Sequence, residues 1–153
     1  MTKTYKRKIG DYGEELASKF LKRKGLKIQD RNYLKKWGEI DIIAVKKKGF
    51  LWREIEKLHF IEVKTVSCET RQGTNKEIID DYLLSDNIHG WKLQRLKRVF
   101  QTYLRDEDVS DETNWQFDII IVFINLKDIS IKDTNKQYSG KNYYIEYIED
   151  VIV

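Results

Sequence analysis

The sequence predicts an α/β domain, and three observations carry that expectation. Apolar positions recur with helical spacing near residues 11–24 and 91–104. Three runs rich in β-branched and aromatic residues lie between those segments. Phe117–Ile124 is apolar at nearly every position, as befits a central strand covered on both faces. The order is helix, three strands, helix, strand. A chain of 153 residues suits one domain over residues 1–153 and can bury a single sizeable core.

Each element follows from its residues. Asp11 to Lys24 reads as a helix with Leu16, Ala17, Phe20 and Leu21 on one stripe, and Gly25 as its stop. At about 100° per residue, Glu14 falls about 20° from Leu21, at the border of that stripe, whereas Glu15 points to solvent. Strands are expected at Lys27–Tyr33, Glu39–Val45 and His59–Val66. Lys46–Leu58 reads as a basic turn with a short helical insertion on which Trp52 packs down. Ser67–Asn75 reads as loop, and Ile78, Ile79, Tyr82 and Leu83 suggest a short helix over residues 76–84. In the second long helix Leu93, Leu96, Phe100, Tyr103 and Leu104 form the buried face, with Arg95 and Arg98 opposite. Arg105–Asn114 is an acidic loop. Ile129–Lys132 and Tyr143–Val153 fit edge strands or a terminal helix equally well. No repeat, linker or low-complexity tract interrupts the chain.

Composition narrows the setting. At 41% hydrophobic and 35% charged residues the chain has the make-up of a globular domain rather than a disordered one. No apolar run approaches the roughly 20 residues needed to cross a membrane. The basic segment Met1–Gly10 lacks the apolar block of a secretory signal, so a cytoplasmic location is expected. The lone Cys68 has no partner for a disulfide or a cysteine-based zinc site. The net charge of +4 hides an asymmetry, because residues 1–64 carry 18 Lys and Arg against 9 Asp and Glu. That excess suits a polyanionic partner, although solvated surface lysines produce the same count.

The chemistry concentrates in two segments, Gly38-Glu39-Ile40-Asp41-Ile42-Ile43 and Phe60-Ile61-Glu62-Val63-Lys64. Strand side chains alternate faces, so Glu62 and Lys64 point the same way, roughly 6–7 Å apart. Asp41 joins them if the two strands pair side by side. An Asp inside an apolar strand needs a partner to justify its burial. Two carboxylates beside one ammonium form a compact site for a hard divalent cation and the phosphate it activates. Mg²⁺ needs only one or two carboxylates, and the Val63 carbonyl, between Glu62 and Lys64, is a further oxygen ligand in reach. Glu39 shares the Asp41 face and serves equally well as a site residue or a solvated strand end.

In the order of its motifs the chain resembles the YraN-like family of uncharacterised bacterial proteins. The matching residues are Gly10-Asp11-Tyr12-Gly13-Glu14, Arg31-Asn32, Gly38-Glu39-Ile40-Asp41, Phe60-Ile61-Glu62-Val63-Lys64-Thr65, Lys92-Leu93-Gln94-Arg95-Leu96 through Tyr103-Leu104, and Phe117-Asp118. That family is similar to archaeal Holliday-junction resolvases and to PD-(D/E)XK nucleases generally. The resemblance implies the restriction endonuclease-like fold, a central mixed sheet flanked by helices in α-β-β-β-α-β order. It implies catalytic roles for Asp41, Glu62, Lys64 and Glu14, with Mg²⁺ or Mn²⁺ held by Asp41, Glu62, the Val63 carbonyl and Glu14. Resolvase relatives work as two-fold dimers, so a homodimer is one expectation by analogy. The chain departs from the family pattern by extra residues near 49–58 and 76–90 and by a longer C-terminus.

Other candidates weigh less. Lys92, Arg95 and Arg98 could contact a nucleic-acid backbone, or form an ordinary solvated helix face. His59 and His89 have no metal-binding spacing, and Asp118 is expected to cap or pair locally. No phosphate-binding Gly-rich loop or serine-nucleophile motif is present. Two function classes remain. One is a metal-dependent endonuclease hydrolysing DNA phosphodiesters, with selectivity for branched or junction DNA in prospect. The other is a nucleic-acid-binding module of the same fold with little or no cleavage.

Overall fold

The computed structural model describes residues 4–68, 77, 90–125 and 142–151. The expected helix over 76–84 (but for Glu77), the loop beyond Cys68, His89 and the segment Ile129–Lys132 lie outside the described residues. So do the side chains of Trp52, Cys68 and Lys92.

Helix α1 spans Tyr5–Arg23, starting six residues before the expected Asp11. Thr4 sets that start, its hydroxyl accepting the Arg7 amide at 3.4 Å. The end is as expected. Gly25 takes φ +86°, its amide bonds Lys22 O, and the Leu26 amide reaches Leu21 O at 3.0 Å. This paired closure also brings the apolar side chains of Leu21 and Leu26 together beneath the helix.

Strands β1 (Lys27–Lys35), β2 (Gly38–Lys48) and β3 (Glu54–Cys68) follow, all three longer than expected. The basic turn with a helical insertion shrinks to a 3₁₀ turn at Phe50–Trp52, because pairing continues past a bulge at Lys46/Lys47 as far as Lys48 opposite Glu54. An ion pair of 3.4 Å between Lys46 and Glu56 ties the two strands in this stretch, where mixed charge masks the strand pattern. Helix α2 spans Gly90–Asp106, β4 spans Trp115–Asn125 and β5 spans Tyr143–Ile148. The ambiguous C-terminal segment is thus an edge strand.

The five strands form one mixed sheet in sequence order. Only β3 and β4 run parallel, and every other pair is antiparallel. On one face α1 lays Leu16, Ala17 and Leu21 on Ile42, Ile61, Ile120 and Val122. On the other α2 lays Val99, Phe100 and Tyr103 on Ile43, Phe60, Ile119 and Ile121. The rings of Phe60 and Phe100 stack there at 4.5 Å. Strand β4 is buried on both faces, as its apolar run predicts. This mixed sheet flanked by helices is compatible with a restriction endonuclease-like fold.

Candidate functional site

The site begins where two strands part. Regular pairing of β2 with β3 stops at Ile42 opposite Ile61, while β3 continues beside β4 up to Cys68. Past Ile61 the β2 side of β3 therefore faces a gap. Asp41 reaches across it, and its Oδ2 accepts the Val63 amide at 2.7 Å, replacing a ladder hydrogen bond with a side-chain one. A residue's N–H and C=O leave a strand on the same side, so the Val63 carbonyl also faces this gap.

The rung that carries Asp41 is irregular on both strands. Asn32, which aligns with Asp41 in the β1–β2 register, has φ +53°. On its two sides the chain changes face: Arg31 meets Glu14 and Glu15 of α1, whereas Tyr33 packs with the α2 cluster. Strand β2 does the same, with Ile40 in the α2 cluster and Ile42 in the α1 cluster. Strict alternation fails here, and the switch leaves the Asp41 carboxylate free to lean along the sheet toward β3.

A cavity of about 320 Å³ opens at the gap. Its acidic wall is Glu39, Asp41 and Glu62, and Arg95 and Leu96 of α2 face them. Trp37 and Gly38, from the β1–β2 turn, complete the rim. Gly38 is required for this approach, because a Cβ there would sit 2.8 Å from Val99 of α2. Arg95 lies exposed, as expected of the face opposite the buried one, and there donates from Nε to Trp37 O at 2.8 Å. Arg98 stacks on the Trp37 ring at 4.3 Å. The two arginines thus brace the rim from the exposed side of α2, through contacts that helical phase alone does not reveal. Trp37 escaped the sequence reading; the only signal was its place beside Gly38 between two strands.

Electrostatics mark Asp41 out. Burial pushes its carboxyl up to about 7, the charges of Glu62, Glu14 and Glu39 add to the rise, and the Val63 amide opposes it. Glu14 is also raised, first by burial, while Arg31 and Asn32 hold it down. Its side chain is 19% exposed and lies 3.7 Å from Arg31. Glu15, expected to be a solvent residue, is half-exposed but bonds Arg31 at 3.0 Å. Gly13 allows this helix so close, since a Cβ there would fall within 3 Å of Thr65 on β3.

The predicted residues are therefore gathered in part. Asp41 and Glu62 share the cavity, and Lys64 sits half-buried two residues further along β3, on the Glu62 face by alternation. Glu14 and Lys64 are not part of the cavity wall, and Glu14 acts on Asp41 through its charge. Among the described residues no group of three or more His, Cys, Asp or Glu converges to hold a metal ion. The donor set on the cavity is two neighbouring carboxylates with the Val63 carbonyl at the same gap. That suits a cation such as Mg²⁺ that keeps most of its waters and does not suit a dedicated cage.

A second polar cluster serves structure. Asp118, fully buried on β4, lies 2.7 Å from His59 Nδ1 and accepts from Gln116, the Tyr147 hydroxyl and the Asp150 amide. Burial alone would raise the Asp118 carboxyl, but these partners outweigh it and hold it below the usual carboxylate range. Asp118 pairs locally with Gln116, as expected, and its further bonds to Tyr147 and Asp150 fasten the C-terminal strand to the sheet.

Among the described residues no helix is long and apolar enough to cross a membrane. Residues 13–122 match the uncharacterised protein family UPF0102. A UPF0102 protein of Caldanaerobacter subterraneus is 30% identical over 88% of this chain and 95% of its own length. Relatives from Alkaliphilus oremlandii, at 37% over 76% of this chain and 85% of theirs, and Campylobacter jejuni, at 34% over 74% and 81%, carry the same family name. The match spans α1 from Gly13, the split between β2 and β3, α2 and most of β4, and by it the chain belongs to the UPF0102, or YraN-like, family.

Proposed function

We propose that this protein is a divalent-cation-dependent endonuclease that hydrolyses phosphodiester bonds in DNA. The observation that carries the reading is the pairing of Asp41 and Glu62 on one cavity at the split between β2 and β3, with Lys64 on the same strand. Three carboxylates against the single guanidinium of Arg95 would repel a phosphate. A divalent cation reverses that balance, which also explains why burial of Asp41 is tolerated.

Asp41 and Glu62 would hold the ion, with the Val63 carbonyl as a third oxygen. A bound Mg²⁺ or Mn²⁺ supplies charge neutralisation on the phosphate and a lower pKa for a bound water. The chain's own residues do the rest. The Val63 amide fixes one Asp41 oxygen, which leaves the other to face the cavity. Arg95, anchored on the Trp37 carbonyl, presents its charge across from the acids and orients a phosphate. Lys64 offsets charge developing on the phosphate or orients the water. Glu14 raises the proton affinity of Asp41 when no cation is bound.

The test is incubation of the protein with labelled single-stranded, duplex, flap and four-way-junction DNA, and with RNA, in Mg²⁺, Mn²⁺ or EDTA. Cleavage should require the cation and vanish in Glu62→Gln. Binding with no cleavage under any cation would assign the chain to the second class, a nucleic-acid-binding module.

A further inference from the structure

The tip of the β2–β3 hairpin joins exposed apolar side chains with a strained backbone. Phe50 is 88% exposed, Leu51 62% and Ile55 41%. Leu51 also holds φ +61° and ψ +23°, a left-handed conformation that a branched side chain seldom adopts. Gly49, at φ +83°, makes the turn that lifts Phe50 off the sheet. The surround is basic: residues 46–57 carry five Lys and Arg against two Asp and Glu, with Lys48 and Arg53 exposed on either side of the tip. Asp41 and Lys48 are seven residues apart on one strand, which puts the tip about 23 Å from the cavity.

We propose that this tip is a second nucleic-acid contact, in which Phe50 stacks on an unpaired or unstacked base and Leu51 packs beside it, while Lys47, Lys48 and Arg53 hold the flanking phosphates. The inference rests on the nucleic-acid reading of the cavity and goes beyond it by naming the substrate feature recognised: a gap, bulge or branch point. Charge complementarity selects this occupant. A second copy of the chain would set lysines against lysines across a self-complementary contact. A lipid surface would offer anionic headgroups too, but membrane-bound segments bury a far broader apolar face than two side chains. Bases satisfy both halves of the patch, since every base has a stacking face and a phosphate beside it.

The test compares the parent, Phe50→Ser/Leu51→Ser and Phe50→Trp, all in EDTA so that binding is read without cleavage. Fluorescence anisotropy measures affinity for intact duplex and for the same duplex with a two-base gap. A 2-aminopurine at the gap reports unstacking. The parent should favour the gapped duplex and raise the 2-aminopurine signal. The double variant should lose about 5- to 150-fold in affinity for gapped DNA, the range expected for one lost base-stacking contact, with little change on intact duplex. Phe50→Trp should keep the parent's affinity for gapped DNA. An unchanged unfolding temperature should accompany these losses, because the tip is exposed. Equal affinity of parent and double variant for gapped DNA would overturn the proposal while leaving the cavity reading intact. No binding of any nucleic acid by the parent in EDTA would overturn the proposal as well, while the cation-dependent cleavage assay decides the cavity reading separately. Parent binding to phosphatidylglycerol vesicles that the double variant loses, with DNA binding unaffected, would assign the tip to a membrane and overturn this inference.

Discussion

Replacing Asp41 with Asn removes one charge while keeping the side chain's size and an oxygen to accept the Val63 amide. The magnitude follows from the carboxyl's rise from 3.8 to about 7. At about 1.36 kcal/mol per unit, a shift of about 3 units sets a ceiling of about 4 kcal/mol. The sign is fixed by linkage. Folded protein holds this proton more tightly than the unfolded chain, so the stability contribution is complete below pH 3.8, declines between there and about 7, and is flat above. Asp41→Asn escapes that decline. It should match the parent near pH 4 and exceed it at pH 8 by about 2–4 kcal/mol, roughly 5–15 °C in Tm for a domain of this size. Thermal unfolding by circular dichroism in EDTA, from pH 4 to 8.5, measures the gap between the two proteins and cancels the titration of every other group. Adding Mn²⁺ at about 100 times its Kd should then stabilise the parent by about 2.7 kcal/mol and the variant by much less. A variant that is less stable than the parent at pH 8 in EDTA, or a gap that stays constant with pH, would refute the claim that Asp41 is a buried carboxylate waiting for a cation.

Three further outcomes are expected. Gly13→Ala, which would normally favour a helix, should destabilise by about 1–3 kcal/mol by overpacking against Thr65, and Thr65→Ala should recover part of that loss; urea denaturation of the two single and one double variants checks it. Asp118→Ala should cost about 3–5 kcal/mol, because it strands buried Gln116 and His59 and the part-buried donors of Tyr147 and the Asp150 amide. The lowered Asp118 carboxyl contributes stability above the ordinary carboxylate value that is lost as pH falls through its folded value, so the parent's advantage over Asp118→Asn should shrink only in strong acid. Lys64→Ala should leave Mn²⁺ affinity by calorimetry within about twofold yet slow DNA cleavage by about 100-fold or more, on the scale of losing one transition-state charge partner; a parallel loss of metal binding would place Lys64 in the structure of the site instead.

Much of this molecule is set by local pattern, and that part was legible. Leu16, Ala17 and Leu21 repeat with helical spacing because one face of α1 must be buried, and Gly25 ends that helix because the chain needs a positive φ there. The unbroken apolar run of β4 declares burial on both faces, and the acids and lysine of β2 and β3 stand out because charge in an apolar strand demands a reason. What remained hidden depends on partners distant in sequence. Helical phase put Arg95 on the exposed face, where it lies, but only the packing of α2 over the β1–β2 turn gives its guanidinium a carbonyl 58 residues away. Asp118 showed no sign of its four partners, which arrive from β3, β4 and the chain's C-terminal end. The aim of Asp41 was beyond alternation as well. Period-two reasoning assumes a regular ladder, and here Asn32 at φ +53° and the parting of β2 from β3 suspend that rule, so that a side chain takes the hydrogen bond a neighbouring backbone would have made. Sequence determined which residues stand as candidates for a site, because composition and period are local; tertiary structure decided where they point, because that depends on where paired strands separate.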